Sequence, residues 1–273
     1  MIASFLLSLR EGLEAALIIG IVLGALRKVN RPDLKASVWR GVVTAIGASI
    51  LAALTLTSLG AELEGKSEEI FEGVAMLLAA GLLTWMIFWM HRQASSLKQN
   101  LEENVRLSLT AGQRGLFLLA FLAVAREGFE LVLFLFAAGL ASGSMPTLVG
   151  GLLGLVAAIV LGWMLFVSTR KLSLKAFFQV SNVLLILFAA GLLAHGVHEF
   201  NEAGLIPGII EPVWDTSAFL STDQPLGALL KALFGYNTRP SLSELIAYFG
   251  YFLVISFSLR GLDRKTTITP QAA

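Results

Sequence analysis

Long apolar runs alternate with short polar segments along the whole chain. Seven runs approach or exceed the ~20 residues that a helix needs to cross a bilayer. They cover residues 2–26, 39–60, 70–90, 115–140, 147–169, 176–198 and 242–259. All seven prolines lie outside these runs, and the runs are too long for barrel strands of ~9–11 residues. The pattern predicts an all-α integral membrane protein with seven transmembrane helices.

Two other segments are typical of helices that lie on a membrane surface. One covers residues 94–109, where apolar positions at helical spacing stand among charged ones, and the other covers residues 225–235. We expect the second to belong to a long outer loop, residues 201–241, that precedes the last span.

Composition agrees with a membrane location and narrows the range of functions. Of the 273 residues, 56% are hydrophobic and 14% are charged, with a mean hydropathy of +0.78. A soluble domain is nearer a quarter charged. The chain has no cysteine and three histidines, which excludes disulfides and thiol catalysis. A nucleic-acid-binding module and an ordinary cytosolic enzyme are excluded as well.

The loops differ sharply in charge. Fifteen of the 20 lysines and arginines lie in alternate loops and the C-terminal tail, whereas the opposite loops hold only Lys66, Lys231 and Arg239. The positive-inside rule therefore predicts an N-terminus outside and a cytoplasmic C-terminus. The outer loops and helix ends hold 11 acids. This excess either concentrates cations at the surface or only reflects the retention of bases inside.

Two motifs reveal an internal repeat. The segment Arg-Glu-Gly-Leu-Glu at residues 10–14 recurs as Arg-Glu-Gly-Phe-Glu at 126–130, and Ala-Ala-Gly-Leu-Leu occurs at 79–83 and 189–193. Helices 1–3 thus correspond to helices 4–6, and helix 7 is left over. Because each unit has three spans, the units enter the membrane from opposite sides, as in many transporters with midplane sites.

The repeat predicts that residues 1–273 form one permease domain made of two repeat units, an outer loop and a last helix. Repeat unit one covers about 1–92, unit two about 115–200, the outer loop about 201–241 and helix 7 about 242–260. Small residues recur every four positions on helices 1, 2 and 5, which predicts close helix packing. They are Gly12, Ala16, Gly20 and Gly24; Gly41, Ala45, Ser49 and Ala53; and Gly150, Gly154, Ala158 and Gly162.

Each motif places three ionisable side chains near the middle of a span. They are Arg10, Glu11 and Glu14 on helix 1, and Arg126, Glu127 and Glu130 on helix 4. Such groups cost at least ~2.5–3.5 kcal/mol each on insertion scales. Each arginine can pair with the glutamate four residues later, which leaves one glutamate per motif unpaired. Two facing motifs would carry a charge of −2 and favour a cation, although two ion pairs that only lock the bundle are the alternative.

The donor atoms narrow the choice of metal. All four anionic ligands are carboxylates, which suit hard cations such as iron, manganese, magnesium or calcium, whereas copper(I) prefers Cys or Met. Oxygen ligation alone does not choose among the hard cations.

The doubled Arg-Glu-Gly-x-Glu motif, the seven spans and the acidic outer helix ends resemble the oxidase-dependent iron transporter family. The resemblance covers nearly the whole chain and is closest to bacterial ferrous iron permeases in length. It implies import of iron, with Fe²⁺ favoured and Fe³⁺ left open, across the cytoplasmic membrane. It also implies transport by Glu11, Glu14, Glu127 and Glu130 with Arg10 and Arg126 as charge partners. Iron is then the substrate and no cofactor is expected. A periplasmic iron-binding protein and a haem peroxidase are implied as partners.

Two outer clusters are secondary candidates. Glu68, Glu69 and Glu72 enter helix 3 from outside and resemble an acidic patch of the same family, although acids are also favoured at any helix N-terminus by its dipole. At the outer end of helix 6, His195–Glu199 and His198–Glu202 have a spacing that can hold a metal. Ordinary polar residues at a helix end explain this second cluster as well.

Two other functions remain as alternatives to iron transport. A permease of the same architecture for another divalent metal, such as manganese, would have the same motifs. An intramembrane enzyme would need a nucleophile or a metalloprotease motif, and the chain has no Cys, Gly-x-Ser-x-Gly or His-Glu-x-x-His. We therefore expect no enzymatic activity.

Overall fold

The structure, a computed structural model, describes residues 1–93, 108, 112–167, 174–222 and 224–266. These residues contain α-helices and one 3-10 turn, Pro32–Leu34, but no β-strand. The α-helices are α1 (Ile2–Lys28), α2 (Lys35–Ala61), α3 (Lys66–Gln93), α4 (Gly112–Ser142), α5 (Ser144–Val167), α6 (Leu174–Glu202), α7 (Pro225–Phe234) and α8 (Leu242–Thr266). The predicted all-α class is confirmed.

Four stretches are both long and apolar enough to cross a membrane: Pro32–Ala61, Lys66–Trp89, Ser144–Met164 and Ser181–Glu202. A shorter apolar helix covers Leu242–Ser258. Helices α1 and α4, with 27 and 31 residues, are also long enough at ~1.5 Å per residue, but each has three charged residues near its middle. These helices fit a multi-pass membrane protein, and the count of seven spans stays a prediction.

The two predicted surface segments have different outcomes. The segment 94–109 lies, apart from residue 108, outside the described residues. The segment 225–235 forms α7, which has a proline in its first turn and ends at Gly235 with φ of 67°. A side chain at position 235 would strike the Cα atom of Gly191. Glycine is therefore needed there both for the left-handed backbone and for the close approach.

The helices are divided between two compact units. The first covers residues 1–64 and 90–184 and contains α1, α2, α4 and α5. Within it α1 packs along α5, α2 packs along α4, and α1 also contacts α4. Both motif helices therefore lie in one unit, which draws helices from each predicted repeat.

Small residues make the close contacts of the first unit. A Cβ added to Gly41 on α2 would lie 2.5 Å from the carbonyl oxygen of Phe117 on α4. Gly150 on α5 is similarly tight against the carbonyl oxygen of Met1, next to α1. The predicted packing role is thus confirmed for these stripes on α2 and α5. It is wrong for Gly24 on α1, because an added Cβ there meets no atom within 4 Å.

A cluster of buried apolar side chains lies at one end of the first unit. It joins the last turns of α1, the 3-10 turn and the first turns of α2 to the start of α4. Its fully buried members include Val22, Leu26, Leu34, Val38 and Leu116. In a bilayer, close van der Waals packing of such side chains, and not their removal from water, favours the association of helices. This cluster holds the last turns of α1 against the first turns of α4, the two helices that carry the motifs.

The second compact unit covers residues 65–89 and 185–273. Helices α3 and α6 approach closely, since a Cβ added to Gly196 would lie 3.1 Å from the carbonyl oxygen of Gly73. The hydroxyls of Thr84 on α3 and Tyr251 on α8 are hydrogen-bonded at 2.9 Å. These contacts hold α3, α6 and α8 together.

Backbone hydrogen bonds order the loop between α6 and α8. The amide of Val213 donates to the Pro240 carbonyl at 2.9 Å, and the amide of Thr216 donates to the Thr238 carbonyl at 3.0 Å. Arg239 donates to Asp215 Oδ2 from two nitrogens, at 2.8 and 2.7 Å. The hydrogen bond from Arg239 and those from Ser217 hold the pKa of the exposed Asp215 carboxyl below its usual value.

Candidate metal site

Helix α1 holds its motif in a largely buried environment. Arg10 Nε donates to Glu14 Oε1 at 3.2 Å, as the spacing of four residues predicts. Arg10 is 0% exposed and Glu11 is 1% exposed, while the Glu14 side chain is 15% exposed. Because Arg10 is fully buried, its hydrogen bond with Glu14 neutralises charge where water is scarce.

Helix α4 repeats the pair with a different exposure. Arg126 Nε donates to Glu130 Oε1 at 3.0 Å, and Glu127 and Glu130 are each 6% exposed. The Arg126 side chain, however, is 37% exposed. The two motifs therefore form the same hydrogen bond, but the arginine is fully buried in the first motif and partly exposed in the second.

Three of the four carboxylates gather at one point. One ligand oxygen from each of Glu11, Glu14 and Glu127 lies within 4.8 Å of the other two. Within the described ranges, this is the one set of three or more His, Asp or Glu side chains arranged in this way. Glu130 is not part of the set, although its charge lies within electrostatic range of Glu11 and Glu14. The structure thus brings both motifs together.

Several polar atoms of this cluster are buried without a hydrogen-bond partner among the described residues. They are both carboxylate oxygens of Glu11, Oε2 of Glu127, Oε2 of Glu130, and the Nη1 and Nη2 atoms of Arg10. Buried charges are strongly unfavourable unless they are paired or bind a metal. The cluster therefore offers free oxygen donors of the kind that hard divalent cations prefer.

The glycine of each motif explains how the helices reach this arrangement. A Cβ added to Gly12 would lie 2.6 Å from the Cβ of Ala158 on α5, and one added to Gly128 would overlap the hydroxyl of Ser49 on α2. These glycines therefore serve close helix packing, as the small-residue stripe predicts for Gly12.

The acids at the start of α3 form the first outer cluster. Glu68 is exposed, and Glu69 and Glu72 are partly buried. Both Glu69 and Glu72 lie within electrostatic range of Glu199 on α6, in the same compact unit. The two outer clusters, which the sequence presents as separate, are therefore neighbours.

The histidines at the end of α6 have partners that the sequence spacing only partly predicts. His198 Nε2 lies 3.5 Å from Glu202 Oε1, as expected for four residues, but its Nδ1 is hydrogen-bonded to Glu244 Oε1 at 3.0 Å. The Nδ1 atom of His195 is hydrogen-bonded to the Gly191 carbonyl at 3.1 Å instead of to Glu199. His198 therefore joins α6 to the start of α8.

Glu244 is a structural residue that the sequence reasoning missed. The Ser241 amide donates to Glu244 Oε1 at 3.0 Å, and the Glu244 amide donates to Ser241 Oγ at 3.2 Å. These two bonds form a capping box, which the spacing Ser-x-x-Glu before an apolar run would have indicated. The side-chain amide group of Asn201 is hydrogen-bonded to the hydroxyls of Ser241 and Ser243, which strengthens the junction between α6 and α8.

The chain matches known proteins over almost its whole length. The Iron permease FTR1 family matches residues 1–262. The ferrous iron permease EfeU of Shigella sonnei (strain Ss046) is 37% identical over 264 residues, 95% of this chain and 96% of the relative. The ferrous iron permease EfeU of Escherichia coli O157:H7 has the same identity and coverage. The ferrous iron permease EfeU of Yersinia pestis is 36% identical over 256 residues, 93% of this chain and 91% of the relative.

No solved structure matches the chain. The family match covers both motif helices and nearly all of the described residues, ending within the last helix, α8. The chain therefore belongs to the iron permease FTR1 family.

Proposed function

We propose that this chain imports iron, preferably Fe²⁺, across the cytoplasmic membrane through one site formed by its two Arg-Glu-Gly-x-Glu motifs. The observation that carries the proposal is that one oxygen from each of Glu11, Glu14 and Glu127 lies within 4.8 Å of the other two, between two helices that are long enough to cross a membrane. The relatives named as ferrous iron permeases support the choice of metal. The chain acts as a permease and not as an enzyme.

The charge of the site suits a divalent ion. Four carboxylates, with Glu130 completing the set, carry −4, and Arg10 and Arg126 return +2. A bound Fe²⁺ leaves the cluster nearly neutral, which is tolerable in a low-dielectric interior. The two arginines keep the carboxylates ionised and oriented when the metal leaves.

The architecture that we propose is an inverted repeat of helices 1–3 and 4–6, followed by a seventh span. Reciprocal packing supports it. The α1–α5 contact and the α2–α4 contact use matching positions of the two repeats, such as Gly150 against Met1 and Gly41 against Phe117. The repeat boundaries of about 1–92 and 115–200, within a single permease domain, follow from the same correspondence.

The orientation that we propose has the N-terminus outside and the C-terminus in the cytoplasm, because the lysines and arginines concentrate in alternate loops. On the outer side Glu68, Glu69 and Glu72 would capture iron, with His198, Glu199 and Glu202 as further outer ligands. The family resemblance adds a periplasmic iron-binding protein and a haem peroxidase as partners of this surface.

Uptake into proteoliposomes tests the proposed function. Purified protein should take up Fe²⁺ faster than protein-free vesicles, and Glu11→Gln and Glu127→Gln should abolish uptake while expression and thermal stability are kept. Glu62→Gln is the matched control, because Glu62 is exposed. The site assignment is falsified if the single Gln variants at positions 11 and 127 transport iron like the parent.

The same vesicles test the alternative metal. The all-oxygen donor set suits Mn²⁺ as well as Fe²⁺, so uptake is measured for each ion alone and in competition. If Mn²⁺ is transported at least as well as Fe²⁺ at equal concentration, the chain is a manganese permease of the same architecture.

A further inference from the structure

One buried hydroxyl beside the carboxylate cluster is left without a hydrogen bond. Ser8 on α1 is 0% exposed, and its Oγ has no hydrogen-bond partner among the described residues. Ser4, one turn earlier on the same helix and 1% exposed, donates its hydroxyl to the Met1 carbonyl at 2.8 Å. The two serines are alike in burial, but only Ser8 keeps an uncommitted oxygen.

Ser8 lies one turn from the metal site. It precedes Glu11 by three residues, a spacing that places both side chains on one face of α1. A Cβ added to Gly151 on α5 would lie 3.4 Å from Ser8 Oγ and 3.1 Å from Leu135 Cδ1 on α4. The hydroxyl therefore lies where α1, α4 and α5 meet, one helical turn before Glu11.

The coordination number of a hard divalent cation leaves room for a further oxygen ligand at this site. Hard divalent cations take about six oxygen ligands, and the three gathered carboxylates supply one oxygen each. A serine hydroxyl has two acceptor lone pairs and adds no charge to a cluster that a divalent ion already neutralises. A neutral oxygen can thus replace a water molecule of the ion without upsetting the charge of the site.

The two repeats differ at this position. The offset of 116 residues between the motifs makes Val124 on α4 the equivalent of Ser8, and Ala120 the equivalent of Ser4. In the proposed orientation Ser8 lies on the outer side of the carboxylates and Val124 on the cytoplasmic side. A hydroxyl is therefore present on the side from which the ion arrives, whereas the equivalent position on the side to which it leaves is apolar.

We propose that Ser8 is an additional oxygen ligand of the transported cation, which replaces a water molecule as the ion reaches Glu11 from outside. The inference rests on the proposed function and deepens it. It assigns to α1 a step of ion capture that its partner α4 lacks.

The test compares three variants in proteoliposomes and in detergent. Ser8→Ala should raise the KM for Fe²⁺ uptake, and weaken Mn²⁺ binding by the purified protein, about fivefold. Its thermal stability should match that of the parent. Ser4→Ala, the matched control, should keep the parent KM. Ser8→Cys introduces the only thiol of the chain, so Zn²⁺ should compete with Fe²⁺ at an about tenfold lower concentration.

The outcomes separate this inference from the proposed function. If the parent transports Fe²⁺ and Glu11→Gln does not, but Ser8→Ala keeps the parent KM and Mn²⁺ affinity, the role of Ser8 is overturned alone. Equal effects of Ser8→Ala and Ser4→Ala would also overturn it, since they would show a packing effect. If the parent neither transports nor binds either ion, both proposals are wrong.

Discussion

Gly12 and Ala158 are in such close contact that a Cβ added to Gly12 would lie 2.6 Å from the Cβ of Ala158. Gly12 stands between Glu11 and Leu13 inside the first motif, so the residue that sets the distance between α1 and α5 is a neighbour of a candidate ligand. Gly128 has the same relation to Ser49 in the second motif. The same five-residue segments thus contain both the residues that set the helix packing and the proposed metal ligands.

Replacement of Gly12 should show that helix packing and iron uptake depend on the same segment. Gly12→Ala should destabilise the protein by about 1–3 kcal/mol, because the added methyl group overlaps Ala158 and forces the helices apart. Thermal unfolding in detergent measures the loss, and Fe²⁺ uptake should fall with it. Gly24→Ala on the same helix is the control, since an added Cβ there meets no atom within 4 Å. Equal melting temperatures for the two variants would contradict the packing role.

The buried ion pair should behave as a unit. Arg10→Gln leaves Glu14 without its partner and should destabilise the protein by about 3–5 kcal/mol. The double variant Arg10→Gln/Glu14→Gln should regain most of that stability but no uptake, because a ligand is also lost. A double variant no more stable than Arg10→Gln would show that the pair does not determine the stability.

The outer acids should act on the concentration of cations and not on the transport step. Joint replacement of Glu68, Glu69 and Glu72 by Gln should raise the KM for Fe²⁺ and reduce its dependence on salt, with a smaller effect on Vmax. Glu211→Gln, in the exposed outer loop, is the control. An unchanged KM at low ionic strength would assign the three acids to membrane topology alone.

The capping box at the start of α8 should matter for stability and not for the metal. Ser241→Ala removes the hydroxyl that accepts from the Glu244 amide and should destabilise the protein by about 1 kcal/mol. Ser58→Ala is the matched control, because Ser58 is exposed and donates to the Leu54 carbonyl of its own helix. A lower melting temperature with an unchanged KM for Fe²⁺ is the expected result. A changed KM would instead connect this junction to ion capture.

Local periodicity accounts for what the sequence predicts correctly. The apolar runs predict the helices, and the spacing of four residues predicts the hydrogen bonds of Arg10 with Glu14 and of Arg126 with Glu130. Both follow from the geometry of a single helix. The stripes of small residues predict the close contacts of α2 and α5 for the same reason.

What the sequence leaves open depends on how helices rotate against each other. The spacing does not reveal that Glu14, and not Glu130, gathers with Glu11 and Glu127, or that Arg10 is buried while Arg126 is not. The bond between His198 and Glu244 joins residues 46 positions apart. Such partners are fixed by tertiary packing, which the pattern of one helix does not contain.

The reciprocal helix contacts of the first unit also bear on the evolution of the chain. Small residues occur at the α1–α5 contact and at the α2–α4 contact. Helix α1 carries one type of packing surface and α2 carries the other, so the first half of the chain contains both surfaces that these contacts require. The small residues are Ser4, Ser8, Gly12 and Ala16 on α1, and Gly41, Ala45, Ser49 and Ala53 on α2. A half-length ancestor inserted in both directions would have had the surfaces to build this core from two identical copies. Two identical copies would present the same side chain on each side of the proposed site, whereas a single chain can carry Ser8 at one position and Val124 at its equivalent.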